Sequence, residues 1–69
     1  MGRAIYELQG FAIALDKVAL VSRVFAADNN EGYQFNITFS SELRLPVKFP
    51  TRTEADLGRQ LFLKALKES

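Results

Sequence analysis

Cysteine and histidine are both absent from this chain of 69 residues. Without cysteine there is no disulfide and no thiolate zinc site. Without histidine the commonest general base and the commonest metal ligand are missing, so any metal site must be built from oxygen. The four glycines are widely separated and form no glycine-rich phosphate loop. No Gly-x-Ser-x-Gly elbow is present. An excess of charge of either sign is lacking too. Nine basic residues against eight acidic ones leave +1, which is neither a strong nucleic-acid signal nor a disordered tail. No apolar run approaches the roughly 18 residues that a membrane-spanning helix requires. The first residues lack a signal-peptide layout, because Arg3 is the only early charge and Glu7 and Asp16 interrupt the apolar stretch. The expected setting is cytoplasmic.

What the chain has is apolar residues, 48% of it, six of them phenylalanine. That is rich for a single domain spanning residues 1–69, and it favours self-association. A chain this short hides only about 60% of the surface its unfolded state exposes. Its core supplies only about 3–5 kcal/mol.

The clearest pattern runs over residues 33–49. Tyr33, Phe35, Ile37 and Phe39 alternate with Gln34, Asn36, Thr38 and Ser40. Leu43, Leu45, Val47 and Phe49 then alternate with Glu42, Arg44, Pro46 and Lys48. Period-two alternation predicts two strands with one wet and one buried face. Apolar must face apolar across the ladder, which predicts the register. A loop Ser40-Ser41-Glu42 sets Phe39 opposite Leu43, Ile37 opposite Leu45, Phe35 opposite Val47 and Tyr33 opposite Phe49. Thr38 then meets Arg44, and Gln34 meets Lys48. Glu42 is the weak point, since such loops favour glycine at their left-handed position. Pro46 has no N–H to donate and marks an edge strand or an outward site.

After Pro50 the pattern changes to a helix, capped by Thr51 or Thr53. Thr53-Glu54-Ala55-Asp56 resembles a capping box with Asp at its third position. Leu57, Leu61, Ala65, Gly58, Phe62, Ala55 and Leu66 share one helical face, and Leu63 falls alone among the charges. The expected core is Phe35, Ile37, Phe39, Leu45, Val47, Leu57, Leu61, Phe62 and Ala65.

Upstream, residues 3–9 form a short strand closed by Gly10. Residues 11–27 admit a helix, but it would be apolar all round and would have to be wholly buried. Strands over 11–15 and 18–26 with a corner at Asp16-Lys17 fit better, and the valine content agrees. Residues 27–32 form a loop. Its Asp28, Asn30 and Glu31 are the best all-oxygen cluster, yet the sixth and twelfth positions counted from Asp28 hold Tyr33 and Phe39. A calcium loop needs Gly and a carboxylate there. No metal and no cofactor are expected. The sequon Asn36-Ile37-Thr38 is expected to be silent.

The expected fold class is α+β: a curved antiparallel sheet of four to five strands with one C-terminal helix packed across it. The segment Leu15-Asp16-Lys17-Val18 at a strand corner, followed by a meander and by Phe49-Pro50-Thr51-Arg52-Thr53-Glu54-Ala55, resembles small pleckstrin-homology-like bacterial or phage proteins of unknown function. That resemblance implies an option of lipid or headgroup binding. A sheet followed by one helix is also similar to the Whirly type of dimeric single-stranded-DNA-binding fold, which implies a dimer gripping single strands. This chain lacks that type's basic N-terminal tail and lysine-rich strand.

No serine has a base beside it beyond Lys17 and Glu42, and the expectation is a protein that is not an enzyme. One helix covers one sheet face, whereas residues 18–25 are apolar on both. A second copy would close the remainder, giving a homodimeric protein-interaction module. The expected interface is Val18, Leu20, Val21, Val24, Phe25 and Leu63. The alternative is a single-stranded nucleic-acid binder using Arg44, Lys48 and Arg52.

Overall fold

A computed structural model describes residues 5–27 and 32–68. Residues 28–31 of the loop expected at 27–32, with its carboxylate cluster, and the first two residues of the expected opening strand lie outside the described residues. Strands β1 (Ile5–Leu8) and β2 (Phe11–Ala14) form an antiparallel hairpin that is a two-stranded sheet of its own. Gln9 and Gly10 join them with φ of 52° and 86°, the two positive values that a type I′ turn demands. A single 3₁₀ turn, Leu15–Lys17, redirects the chain. Its position matches the expected corner, and the strands on either side settle the ambiguity at 11–27 against a helix.

The second sheet has four strands: β3 (Val18–Val21), β4 (Phe25–Ala26), β5 (Tyr33–Phe39) and β6 (Arg44–Phe49). Both β3 and β4 pair with one edge of β5, and β6 pairs with the other, all antiparallel. The β5–β6 register is the expected one from Tyr33–Phe49 to Thr38–Arg44. The Phe39 N–H donates to the Leu43 carbonyl at 2.8 Å, and the Glu42 N–H returns to the Phe39 carbonyl at 2.8 Å. Glu42 takes the left-handed position of this loop at φ 70°. Hydrogen-bonded pairs alternate along a ladder, so Pro46, opposite Asn36, sits where its missing N–H would have pointed away from β5. Among the described residues β6 pairs with β5 alone. Pro46 therefore marks an edge, as expected.

The other side of β5 is less regular. Ala19 is an extra residue between the pairs Val18–Phe39 and Leu20–Thr38. A second extra residue lies between Val21–Ile37 and Phe25–Gln34. Ser22 holds this break together. Its N–H donates to the Asn36 carbonyl at 2.8 Å, and its Oγ accepts the Asn36 N–H at 2.8 Å. The continuous strand expected over 18–26 is thus two strands with a bulge between them.

Helix α1 (Arg52–Glu68) crosses the inner face of the four-stranded sheet. Thr51 caps it: the Glu54 N–H donates to Thr51 Oγ1 at 3.2 Å. The cap is thus Thr51-Arg52-Thr53-Glu54, two residues before the box expected at Thr53, and it has the favoured Glu at its third position. Phe35, Ile37 and Phe62 are fully buried and centre the core with Ile13, Leu15 and Val47. Burying each of these large side chains stabilises the fold by about 1.5–3 kcal/mol. Phe39, Leu45 and Ala65 are partly buried against them, as are Tyr6 and Leu8 from the first hairpin.

Two core expectations fail. Leu57 and Leu61 are 55% and 49% exposed. Ala55 and Phe62 point straight at the sheet instead, and Leu57 and Leu61 fall at the outer limit of the apolar arc. Two contacts fix that rotation. The Tyr6 ring meets Phe62 edge-on at 5.4 Å. Gly58 lies against the Phe49 ring, so close that a Cβ there would stand 2.6 Å from Phe49 Cζ. Leu63, expected to be exposed, is half-buried. It lies one turn beyond Arg59, whose Nε donates to the Ser22 carbonyl at 2.7 Å. That side of the helix faces the bulged strand.

Candidate functional site

Residues directly opposite each other in an antiparallel pair share a face. The side of the four-stranded sheet away from the helix can therefore be read row by row. Leu20, Thr38 and Arg44 form one row. Asn36 and Pro46 form the next, and Phe25, Gln34 and Lys48 the third. Between these two rows Gln34 Nε2 donates to Asn36 Oδ1 at 3.0 Å. Apolar side chains occupy the β3–β4 side of this face, neutral polar ones the middle, and cations the β6 side.

Five of the six residues expected at an interface divide between the two faces of the sheet. Val18, Val21 and Val24 pack against the chain's own core. Leu20 points outward and is 67% exposed, the highest value among the described large apolar residues. Phe25 shares its face and is half-buried. Leu63 is on the helix and belongs to neither row. The bulge between Val21 and Phe25 is what places Phe25 outside, because one extra residue reverses the facing of everything after it. Strict alternation from Val21 would also have put Phe25 on the inner face. The nearest signal in the sequence is Ser22-Arg23, a polar pair that interrupts an apolar run.

Of the three cations expected to contact nucleic acid, Arg44 and Lys48 share the outer face. Arg52 opens the helix, which packs on the opposite face, and stands 3.9 Å from Asp56 in an exposed ion pair. Such pairs contribute about 0–1 kcal/mol. The structure thus brings two of the three together, and adds Phe25 as an outward aromatic on the row of Lys48.

A second exposed region was not legible as a site. Phe11 and Leu43 are 53% and 65% exposed, and both line an open trough between β2 and the β5–β6 hairpin. One part, of about 310 Å³, is lined by Phe11, Ile13, Leu45 and Arg44 among others. The adjoining part, of about 430 Å³, is lined by Ala14, Lys17 and the loop serines Ser40 and Ser41. Phe39 and Leu43 line both. Gln9-Gly10, read as a hairpin turn, would have set β2 against β1 and placed Phe11 beside the turn, opposite Leu8.

Among the described residues no polar or charged side chain is buried, and no three Asp or Glu residues lie together as a metal group. No described helix is long and apolar enough to cross a membrane. No family model, no curated protein and no solved structure matches this chain.

Proposed function

We propose that this protein is a non-enzymatic interaction module that works as a homodimer, and that the two copies meet through the outer face of the four-stranded sheet. The observation that carries the reading is Leu20. It is the most exposed large apolar residue described, and it stands in a sheet row beside Thr38 and Arg44 rather than at a loop tip. Phe25 extends the apolar surface along the same strand side. A two-fold axis near Leu20 and Phe25 buries both residues against their own copies. It also leaves Arg44 and Lys48 of the two copies at opposite rims, where like charges do not meet.

Sedimentation equilibrium over a wide concentration range tests this reading. A dimer that dissociates in the micromolar range is expected. A monomer at high micromolar concentration overturns it.

One observation favours a second reading, single-stranded nucleic-acid binding. Phe25 is an aromatic on the same row as Gln34 and Lys48, with Arg44 two rows away, and such a combination supports stacking and phosphate contact together. Titration with a labelled oligonucleotide at low and high salt decides it, because phosphate contacts weaken steeply with salt. Absence of binding at low salt removes the reading.

A further inference from the structure

The trough between β2 and the β5–β6 hairpin carries a different inference from the sheet face. The residues that line it are apolar except for Ser40, Ser41, Lys17 and Arg44, the last reaching it from the edge strand β6. Lys17 and Arg44 are both cations, one in each part of the trough. Asp16 and Glu42 adjoin lining residues in the chain, but they line neither part. The wall is tied in place, since the Ser40 N–H donates to the Lys17 carbonyl at 2.8 Å. That bond holds the 3₁₀ turn against the hairpin loop.

We propose that this trough binds a free single-chain anionic amphiphile, a long-chain carboxylate. Its alkyl chain lies along Phe11, Ile13, Phe39 and Leu43, and its head group meets Lys17 or Arg44. Each part has the volume of an ordinary small-ligand site, and a largely apolar lining with a few placed polar groups is the usual make-up of one. The charge of the lining chooses the head group: two cations and no carboxylate repel an ammonium head and attract a carboxylate. The trough is open along its length, so a single chain can enter it from solution.

The test is titration of the whole chain with sub-micellar decanoate, followed by amide and methyl NMR shifts. Decyltrimethylammonium and anionic phospholipid vesicles are the parallel arms. Saturable shifts at Phe11, Ile13, Leu43 and Leu45 are expected with decanoate, at about fivefold higher affinity than with the ammonium amphiphile. The double variant Lys17→Gln/Arg44→Gln should abolish that preference while leaving the weaker chain binding. Leu43→Ser removes an exposed side chain, so the fold is not at risk, and it should weaken both amphiphiles alike. Equal affinity for the two head groups in the wild-type protein overturns the proposal. So do shifts centred on Leu57 and Leu61, or binding seen only with vesicles.

Discussion

The two edges of β5 pair by different rules. Against β6 the register runs from Tyr33–Phe49 to Thr38–Arg44 without a slip. Against β3 and β4 it slips at Ala19 and again between Val21 and Phe25. Composition does not explain the difference, since β6, the regular partner, has fewer β-branched and aromatic residues than β3 and β4 together. Order does. In β6, Leu45, Val47 and Phe49 alternate with Arg44, Pro46 and Lys48, so one register buries every apolar residue. In residues 18–25 apolar residues are consecutive, and no single register buries them all. The strand breaks, sends Val18, Val21 and Val24 to the core, and leaves Leu20 and Phe25 outside.

The largest expected effect lies at the start of the regular side. Gly32 has φ of +101°, and a Cβ there would overlap the Phe49 carbonyl oxygen. That neighbour is backbone and cannot swing aside. Gly32→Ala should therefore destabilise by about 3 kcal/mol or more, combining left-handed strain with the clash. For a domain this small that approaches its whole stability, and circular dichroism melting should show a largely unfolded variant. A melting temperature close to wild type would mean that the β5–β6 start is not held as described.

The irregular side should respond next. Ser22→Ala removes the acceptor of the Asn36 N–H and leaves a partly buried donor without its partner. A loss of about 1–2 kcal/mol is expected in urea unfolding. Faster amide exchange at Asn36 should accompany it, with little change at Phe35 and Ile37. A smaller loss, with Asn36 still protected, would show that the bulge does not depend on this hydroxyl.

Two changes on the β6 side should be small and of known sign. Glu42→Gly relieves a non-glycine residue at φ 70° and should stabilise by up to about 1 kcal/mol. Pro46→Ala restores an N–H on the free edge without touching the β5–β6 ladder. Its effect on stability should stay within about 0.5 kcal/mol. Its effect should appear as aggregation at high concentration, because the edge regains a donor.

The same contrast explains what the sequence could reveal. The pairing of Phe39 with Leu43 and the edge role of Pro46 followed from alternation alone, and so did the awkward place of Glu42. The outward turn of Phe25 did not, because a bulge is settled by which side chains win the core. The helix was legible as an element, but its rotation was not. Gly58 against Phe49 and Tyr6 against Phe62 set that rotation; the first is a contact of non-periodic spacing between consecutive elements, and the second joins the first hairpin to the last helix. Leu57 and Leu61 were therefore placed in the core and stand outside it. Thr51 and Thr53 each begin a box-like pattern, and the Glu54 N–H donates to Thr51 Oγ1, which makes Thr51 the cap. The trough escaped because it lies between two hairpins whose approach no local pattern encodes. One tie between them is the Gln9 side chain, whose Nε2 donates to the Lys48 carbonyl at 2.6 Å.

The central claim is that the irregular strand leaves its apolar surplus outside for a second copy. Sedimentation equilibrium of Leu20→Lys beside wild type and Leu57→Lys tests it most directly. Both substituted residues are more than half exposed, at 67% and 55%, so neither change should threaten the core. A wild-type dimer, a monomeric Leu20→Lys protein and a dimeric Leu57→Lys protein are the expected results. A Leu20→Lys protein that still dimerises as wild type does would contradict the account.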